Sequence, residues 1–138
     1  MVLKMNRVLI VHTSWYEKHI ARMLDISIEI LEKNYKCDKA KAPGAYELSA
    51  LAKYKLEKNK YLGVLFLGII IRGETSHYDL ISSETFRSIS TLADKYFNIA
   101  IINNVICVED QSQLEERLAI NTQNNVNALI QLINEKSS

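Results

Sequence analysis

The chain has 138 residues, of which 48% are hydrophobic, and its 17 basic and 16 acidic residues give a formal net charge of +1. This length and composition suit one packed core, and they predict a single domain over residues 1–138. The balanced charge gives no reason to expect nucleic acid or an anionic membrane as the main partner. No apolar stretch approaches the roughly 20 residues that span a bilayer.

The cysteines and the N-terminal segment bear on the cellular compartment. Cys37 and Cys107 lie far apart in the sequence and have no metal-ligand spacing. This usage favours two structural thiols in a reducing compartment. The N-terminal segment has no apolar block followed by a small-residue cleavage site, so no secretory signal is expected. We therefore expect a cytoplasmic protein.

Four strands are predicted from short apolar runs. In chain order these runs are residues 7–12, 36–41, 62–71 and 99–106. The second run is the weakest, whereas the third is apolar throughout, which is typical of a strand covered on both faces.

Apolar residues at helical spacing predict a helix after each strand. The predicted helices cover about 16–34, 48–56 and 76–96, and one or two closing helices lie within 110–120 and 122–135. Alternation of strands and helices with short connections favours an α/β fold with a parallel sheet and helices on both faces.

Glycine and proline cluster near the carboxyl ends of the predicted strands. Gly44, Gly68 and Gly73 are three of the four glycines, and Pro43 is the only proline. Ligands bind at this edge of open α/β sheets, and glycine there permits close approach of a ligand or a positive φ. Tight turns need the same residues without any ligand, so both interpretations stay open.

The turn at 72–79 has the composition of a helix start. Ser76 is a good N-cap, Asp79 three residues later completes a pattern close to a capping box, and Thr75 is a competing cap. Free backbone N–H groups at such a helix start can hold an anion, although capping alone requires no ligand. His77 would lie in the first helical turn, where a neutral imidazole could accept and return a proton. It could equally be an exposed histidine without a task.

Three other side chains have both a functional and a purely structural interpretation. Trp15 could stack on a flat heterocycle or belong to the core. Glu47 could accept hydrogen bonds from a ligand or simply complement a helix dipole. Arg117 could bind phosphate through its guanidinium fork or form a solvated helix face. No His/Cys cluster suggests a metal, and the glycines form no nucleotide-binding fingerprint.

Residues 42–47 (APGAYE) and 68–79 (GIIIRGETSHYD), read together at this spacing, resemble the lumazine synthase family of riboflavin biosynthesis. The resemblance covers about 7–134. It implies a flavodoxin-like three-layer αβα sandwich with a four-stranded parallel sheet in the order 2-1-3-4. The family assembles as pentamers, decamers or closed shells, with each active site between neighbouring subunits.

The resemblance also implies a reaction. Members of the family condense 5-amino-6-(D-ribitylamino)uracil with L-3,4-dihydroxy-2-butanone 4-phosphate, which yields 6,7-dimethyl-8-ribityllumazine and phosphate. No metal or organic cofactor takes part, so we expect none here. The expected partners are small-molecule substrates and further copies of this chain.

Several residues match positions that bind the pyrimidine and its ribityl chain in the family. Trp15 matches the aromatic residue that stacks on the pyrimidine. The ribityl chain and ring are held by the segment that contains Ala45, Tyr46 and Glu47. The pyrimidine edge is recognised through backbone groups of the strand end formed by Ile69, Ile70 and Ile71.

Other residues match positions for phosphate binding and proton transfer. Glu74 and Thr75 match the phosphate-binding turn, and His77 matches the proton-transfer residue. From a neighbouring subunit, Ile102 matches a residue that packs on the ring, and Arg117 matches the phosphate clamp.

The chain departs from the family pattern around residues 103–104 and 118–126. Asn103 and Asn104 replace a more apolar or glycine-containing pair. Asn125 stands near a position where the family often has a lysine close to the phosphate. Because the loop after the clamp arginine influences shell assembly, we favour a pentamer or decamer.

Three functions follow from this reading. The leading one is an active lumazine synthase. The second is a non-catalytic homologue that binds flavins or lumazines, which the altered regions would permit. The third is a structural role in which the assembled ring or shell is itself the product.

Overall fold

Strands and helices alternate throughout residues 5–137, the part of the chain that the computed structural model describes. Residues 1–4 and 138 of the predicted domain lie outside it. The strands are β1 (Arg7–Thr13), β2 (Lys36–Ala42), β3 (Gly63–Ile71) and β4 (Ala100–Val108). The helices are α1 (Glu17–Leu31), α2 (Leu48–Lys58), α3 (Tyr78–Lys95) and α4 (Gln111–Lys136). Short 3₁₀ turns at Ala45–Glu47 and Arg72–Glu74 precede α2 and α3.

The four strands form one parallel sheet in the order β2-β1-β3-β4. This order confirms the topology that the family resemblance implies. All nine residues of β3 are buried, as the unbroken apolar run predicts for a central strand. Because all strands point the same way, their carboxyl ends meet at one edge of the sheet.

Two helices cover each face of the sheet, as predicted. Alternate residues of β3 point to opposite faces. Leu65, Leu67 and Ile69 pack with apolar residues of α1 and α4. Phe66 and Ile70 pack with apolar residues of α2 and α3. The three-layer αβα arrangement therefore has one core on each side of a shared sheet.

The closing segment is one continuous helix of 26 residues rather than two. Asp110 caps it by accepting a hydrogen bond from the backbone N–H of Gln113 at 3.0 Å. Its buried residues recur at helical spacing through the polar segment, namely Leu114, Leu118, Thr122, Val126, Leu129 and Ile133. Burial of this stripe therefore stabilises one continuous helix through the polar segment.

The predicted capping of α3 by Ser76 is wrong. The helix begins at Tyr78, and His77 occupies the cap position without a side-chain capping bond. The Thr75 hydroxyl instead accepts a hydrogen bond from the His77 backbone N–H at 3.2 Å. Asp79 does not complete a capping box because its carboxylate pairs with Arg72 at 3.2 Å. His77 thus precedes the first helical turn instead of lying within it.

Of the two roles left open for glycine at the ligand edge, close approach of a ligand and a positive φ, the structure does not use the second. Within residues 5–137 no glycine has a positive φ, whereas Tyr16 has φ 60° and ψ 53°. The fourth glycine, Gly63, begins β3 at the opposite end of the strand and serves close packing. A β-carbon on Gly63 would lie 2.7 Å from the carbonyl oxygen of Ala100, so the β3–β4 contact requires glycine there.

Candidate active site

A cavity of about 550 Å³ lies at the carboxyl edge of the sheet. This volume falls within the range of small-molecule sites, roughly 300–1,000 Å³. It is lined by Thr13, Trp15, Tyr16, Gly44, Ala45, Tyr46, Ile69, Ile70, Ile71, Glu74, Thr75 and Ile81. Most of the side chains that the sequence assigns to substrate binding are thus brought to one place.

The end of β3 offers backbone groups to this cavity. The pairing of β3 with β1 ends at Leu67 opposite His12, although β3 continues to Ile71. On the other side, β3 remains paired with β4 up to Ile71 opposite Val108. Backbone N–H and C=O groups that face away from β4 beyond Leu67 therefore have no strand partner, and a ligand can satisfy them.

Trp15 is a surface residue of the cavity and not a core residue. Its side chain is 70% exposed. A β-carbon on Gly44 would lie 3.9 Å from the indole Cδ1 and Nε1 atoms, so the ring stands directly over the backbone of Gly44. The core interpretation of Trp15 is excluded, and its indole is available for stacking on a planar ligand.

Glu47 lies beside the cavity without lining it. Its Oε1 atom would be 3.4 Å from a β-carbon on Gly44, which itself lines the cavity next to Trp15. The absence of a side chain at Gly44 therefore leaves the space between the carboxylate and the indole open.

His77 lines a smaller adjacent cavity of about 260 Å³. Its other lining residues are Arg72, Thr75, Ser76, Tyr78, Asp79 and Leu80. Thr75 borders both cavities. His77 is exposed, so its imidazole is open to exchange protons with a ligand placed near Thr75.

Arg72 holds the turn before α3 to the end of β4. Its guanidinium pairs with Glu109 at 2.8 Å and with Asp79 at 3.2 Å, and it lies 4.1 Å from the ring centroid of Tyr78. The hydrogen bond to Glu109 is the main reason that the pKa of Arg72 is raised. Two carboxylates already compensate its charge, so Arg72 organises the turn and is a poor candidate anion ligand.

The structure brings neither Ile102 nor Arg117 to the cavities of the single chain. Ile102 lies within β4 and packs, partly buried, against the core beneath α1 and α4. Arg117 lies exposed on α4 and forms no ion pair within residues 5–137. Glu115, two residues before Arg117, is not available to it, because the Glu115 carboxylate lies 2.8 Å from Nε2 of His19. The guanidinium of Arg117 is therefore unengaged.

Tyr16 is a cavity residue that the sequence did not single out. Its side chain lines the cavity together with that of Glu74. Burial first, and the Glu74 carboxylate second, raise the pKa of Tyr16 above its usual range. In the sequence, only its position next to Trp15 pointed to a role in the cavity. Its left-handed backbone could not be predicted, because this conformation is rare for a residue as bulky as tyrosine.

Thr13 was also missed. It ends β1, is 2% exposed, and lines the cavity, yet its hydroxyl has no hydrogen-bond partner among residues 5–137. Such a buried hydroxyl is usually satisfied. In the sequence, the position of Thr13 directly after the first predicted strand could have identified it as a residue of this edge. The preceding residue, His12, lines neither cavity.

Both cysteines are unpaired and partly buried. Burial raises the pKa of Cys37 and of Cys107 to about 11. The thiolate is the reactive form of cysteine, so neither residue is a nucleophile near neutral pH. Within residues 5–137 there is no cluster of metal-ligating side chains and no helix long and apolar enough to cross a membrane.

Comparison with known proteins places this site in a family. Residues 5–136 match the family model described as 6,7-dimethyl-8-ribityllumazine synthase. The chain belongs to the 6,7-dimethyl-8-ribityllumazine synthase family. This lumazine synthase match covers both segments that carry the resemblance as well as the β3 end and α4.

Curated proteins named 6,7-dimethyl-8-ribityllumazine synthase are similar to the chain. The protein from Thermococcus onnurineus (strain NA1) is 34% identical over 100 residues, which are 71% of this chain and 65% of that protein. The Prochlorococcus marinus (strain MIT 9301) protein is 40% identical over 91 residues, 66% of this chain and 57% of that protein. The Prochlorococcus marinus subsp. pastoris protein is 36% identical over 106 residues, 77% and 66% of the two chains. The matched segment thus spans less than two thirds of each relative's length.

Proposed function

We propose that this chain condenses 5-amino-6-(D-ribitylamino)uracil with L-3,4-dihydroxy-2-butanone 4-phosphate to give 6,7-dimethyl-8-ribityllumazine and phosphate. Membership of the lumazine synthase family supports this activity. The observation that carries the proposal is the single cavity that collects Trp15, the end of β3 and the turn at Glu74 and Thr75.

Each part of the cavity suits one part of the aminouracil. A flat pyrimidine can stack on the exposed indole of Trp15. Its polar edge can pair with the backbone groups of Ile69–Ile71 that lack a strand partner. The ribityl chain would then run along Ala45 and Tyr46 towards Glu47, whose carboxylate can accept hydrogen bonds from hydroxyl groups.

The phosphate end of the second substrate would bind at the turn before α3. Thr75 and Glu74 belong to this turn, and His77 follows at the cap position. We propose that Arg117 of a neighbouring copy completes the phosphate site, because an unengaged guanidinium can bind phosphate through two parallel hydrogen bonds. Ile102 of the neighbour would pack on the heterocycle.

The chemistry requires proton transfers more than covalent catalysis. The primary amine of the aminouracil attacks the ketone and loses water to form an imine. Phosphate then leaves, and the ribityl-bearing nitrogen closes the ring with loss of a second water. His77 would move protons in these steps. Most of the acceleration would come from holding the two substrates together.

A shared site requires an assembly, so we propose a homo-oligomer, either a pentamer or a decamer. The reaction as written uses no metal or organic cofactor. We also propose a cytoplasmic location, which the two unpaired thiols support.

The decisive experiment mixes purified protein with both substrates and follows lumazine fluorescence. We expect product to form faster than in the uncatalysed reaction, and sedimentation of the same sample to show one homo-oligomer. Tyr54→Phe is a control variant that should keep the wild-type rate, because Tyr54 is exposed on α2 and lines neither cavity. An assembled oligomer without any rate enhancement would contradict the proposed activity, and riboflavin binding by that sample would favour the non-catalytic alternative.

A further inference from the structure

We propose that Ser14 is a positioning residue for the planar ligand. Its hydroxyl ties the loop after β1 to the loop after β2 and thereby holds the indole of Trp15 over Gly44. Ser14 lines neither cavity, so it acts through Trp15 and does not touch the ligand itself. The inference rests on the proposed function, in which the pyrimidine stacks on Trp15.

The Ser14 side chain joins two neighbouring strand ends. Its hydroxyl donates to the backbone carbonyl of Ala42 at 2.9 Å, and the bond is partly buried. The paired register of β1 and β2 ends at Thr13 opposite Ala42. The side-chain bond therefore adds a contact one residue beyond β1, where the pairing of the two strands has ended.

The loop after β2 is a stiff point of attachment. Pro43 directly follows Ala42, and its ring restricts φ. The N–H of Glu47 donates to the carbonyl of Gly44 at 3.2 Å, at the start of the 3₁₀ turn before α2. Gly44 lies between these two restraints, so a bond from Ser14 to Ala42 fixes the first loop relative to Gly44.

Trp15 depends on its neighbours for its position. Its side chain is 70% exposed, and within residues 5–137 it has no hydrogen bond of its own. On one side, the carbonyl of Tyr16 accepts the first hydrogen bond of α1 from the N–H of Ile20 at 2.9 Å. On the other side, Ser14 is bound to Ala42. Without the Ser14 hydroxyl, the indole must be ordered when a ligand binds, and this ordering lowers affinity.

The test deletes one hydroxyl group. A neutral hydrogen bond corresponds to roughly a fivefold effect on an equilibrium constant. For Ser14→Ala we expect the Kd for riboflavin, measured by calorimetry, and the KM for the aminouracil to rise about fivefold while kcat is retained. Trp15 is the only tryptophan, so the fluorescence anisotropy of the ligand-free protein should fall as the indole becomes mobile. Ser14→Thr keeps a hydroxyl and should restore both readouts.

Ser49→Ala is the matched control. The Ser49 hydroxyl also donates to a backbone carbonyl of another element, that of Ser88 on α3, at 3.0 Å. Both bonds are partly buried, and Ser49 lines neither cavity. Ser49→Ala therefore loses the same kind of bond and should leave Kd, KM and anisotropy at their wild-type values.

A second background separates action through Trp15 from a general distortion of the sheet edge. In Trp15→Ala, adding Ser14→Ala should change the riboflavin Kd by less than about twofold. An equal loss of affinity in both backgrounds would overturn the inference, as would a wild-type Kd or a wild-type anisotropy in Ser14→Ala. A wild-type protein that fails to condense the substrates overturns the proposed function instead. The riboflavin titration and the anisotropy then decide this inference alone, and a wild type that binds no riboflavin overturns it as well.

Discussion

Asn125 donates its side-chain amide to the side-chain oxygen of Asn104 at 2.7 Å, which joins α4 to β4. Asn104 in turn donates to the hydroxyl of Thr122 at 3.0 Å, and both of these residues are buried. The sequence presents Asn104 and Asn125 as separate departures from the family pattern. The structure shows that they are two halves of one hydrogen-bonded network. Asn125 is therefore engaged with the sheet and is not placed as a substitute phosphate ligand.

We expect Asn104→Ala to lower the free energy of unfolding by about 1–3 kcal/mol, because it leaves Thr122 and Asn125 without their partner. Asn124 is exposed on the same helix, so Asn124→Ala is the matched control and should stay within about 0.5 kcal/mol of wild type. Urea unfolding of both variants measures the difference. Equal stability of the two would show that the network contributes nothing to the α4–β4 contact.

Trp15 should govern ligand affinity and leave stability unchanged. Its side chain is 70% exposed, so Trp15→Ala should unfold within about 0.5 kcal/mol of wild type. Stacking of a base on an aromatic ring contributes about 1–3 kcal/mol, and we expect riboflavin to bind roughly tenfold more weakly to this variant. Trp15→Phe should retain most of the affinity.

The binding measurement has a built-in reporter. Trp15 is the only tryptophan in the chain, so a flavin stacked on it should quench all tryptophan fluorescence of the wild type. Calorimetry gives the affinity of the variants that lack the indole. Full binding of riboflavin without quenching would place the ligand away from Trp15.

His77→Ala should lower kcat by about 10²-fold or more, because general acid–base catalysis typically contributes 10²–10⁴-fold. KM for either substrate should change little, since the imidazole moves protons and does not provide the main binding surface. His19→Ala is the matched control, because His19 pairs with Glu115 on α4 and lines neither cavity. Steady-state kinetics of both variants decide the matter, and wild-type turnover in His77→Ala would remove the proposed role.

Local patterns of apolar residues in the sequence were sufficient to predict the architecture. The unbroken apolar run of β3 predicts a central strand, and the alternation of strands and helices predicts a parallel sheet covered on both faces. Trp15 and Thr75 follow the first and third predicted strands, and a parallel sheet brings both to its carboxyl edge. The cavity at that edge contains both.

Contacts between distant parts of the chain determine the features of the site that local sequence patterns do not predict. The start of α3 shifts because Arg72 draws Asp79 away from a capping box, and Arg72 is itself oriented by Glu109, which directly follows β4. Tyr16 adopts a left-handed backbone that no local rule assigns to tyrosine. Tyr16 and Glu74 line one cavity only because the sheet brings the ends of β1 and β3 together.

Gly63 should tolerate no side chain. A β-carbon there would lie 2.7 Å from the backbone oxygen of Ala100 and 3.0 Å from Leu129, so Gly63→Ala must displace β4 or α4. Overpacking of this kind costs about 1–3 kcal/mol of unfolding free energy. At Gly73 the nearest atom is a backbone oxygen at 3.4 Å, an ordinary contact, so Gly73→Ala should be milder. Thermal unfolding of the two variants ranks them, and a Gly63→Ala protein as stable as wild type would show that the sheet adapts freely.

His12 should make the folded state less stable as the solution becomes acidic. Burial, and then the positive charges of Lys41 and Lys39, lower the pKa of His12 from its ordinary 6.5, although a hydrogen bond with the Thr13 carbonyl opposes the shift. Below about pH 6.5 the unfolded chain therefore takes up a proton that the folded chain resists until its own lower pKa is reached. The stability associated with neutral His12 is thus complete above this window and declines as the pH falls through it. Urea unfolding at about pH 7.5 and pH 5.5 should show a smaller loss for His12→Gln than for wild type, and equal losses would mean that the imidazole titrates alike in both states.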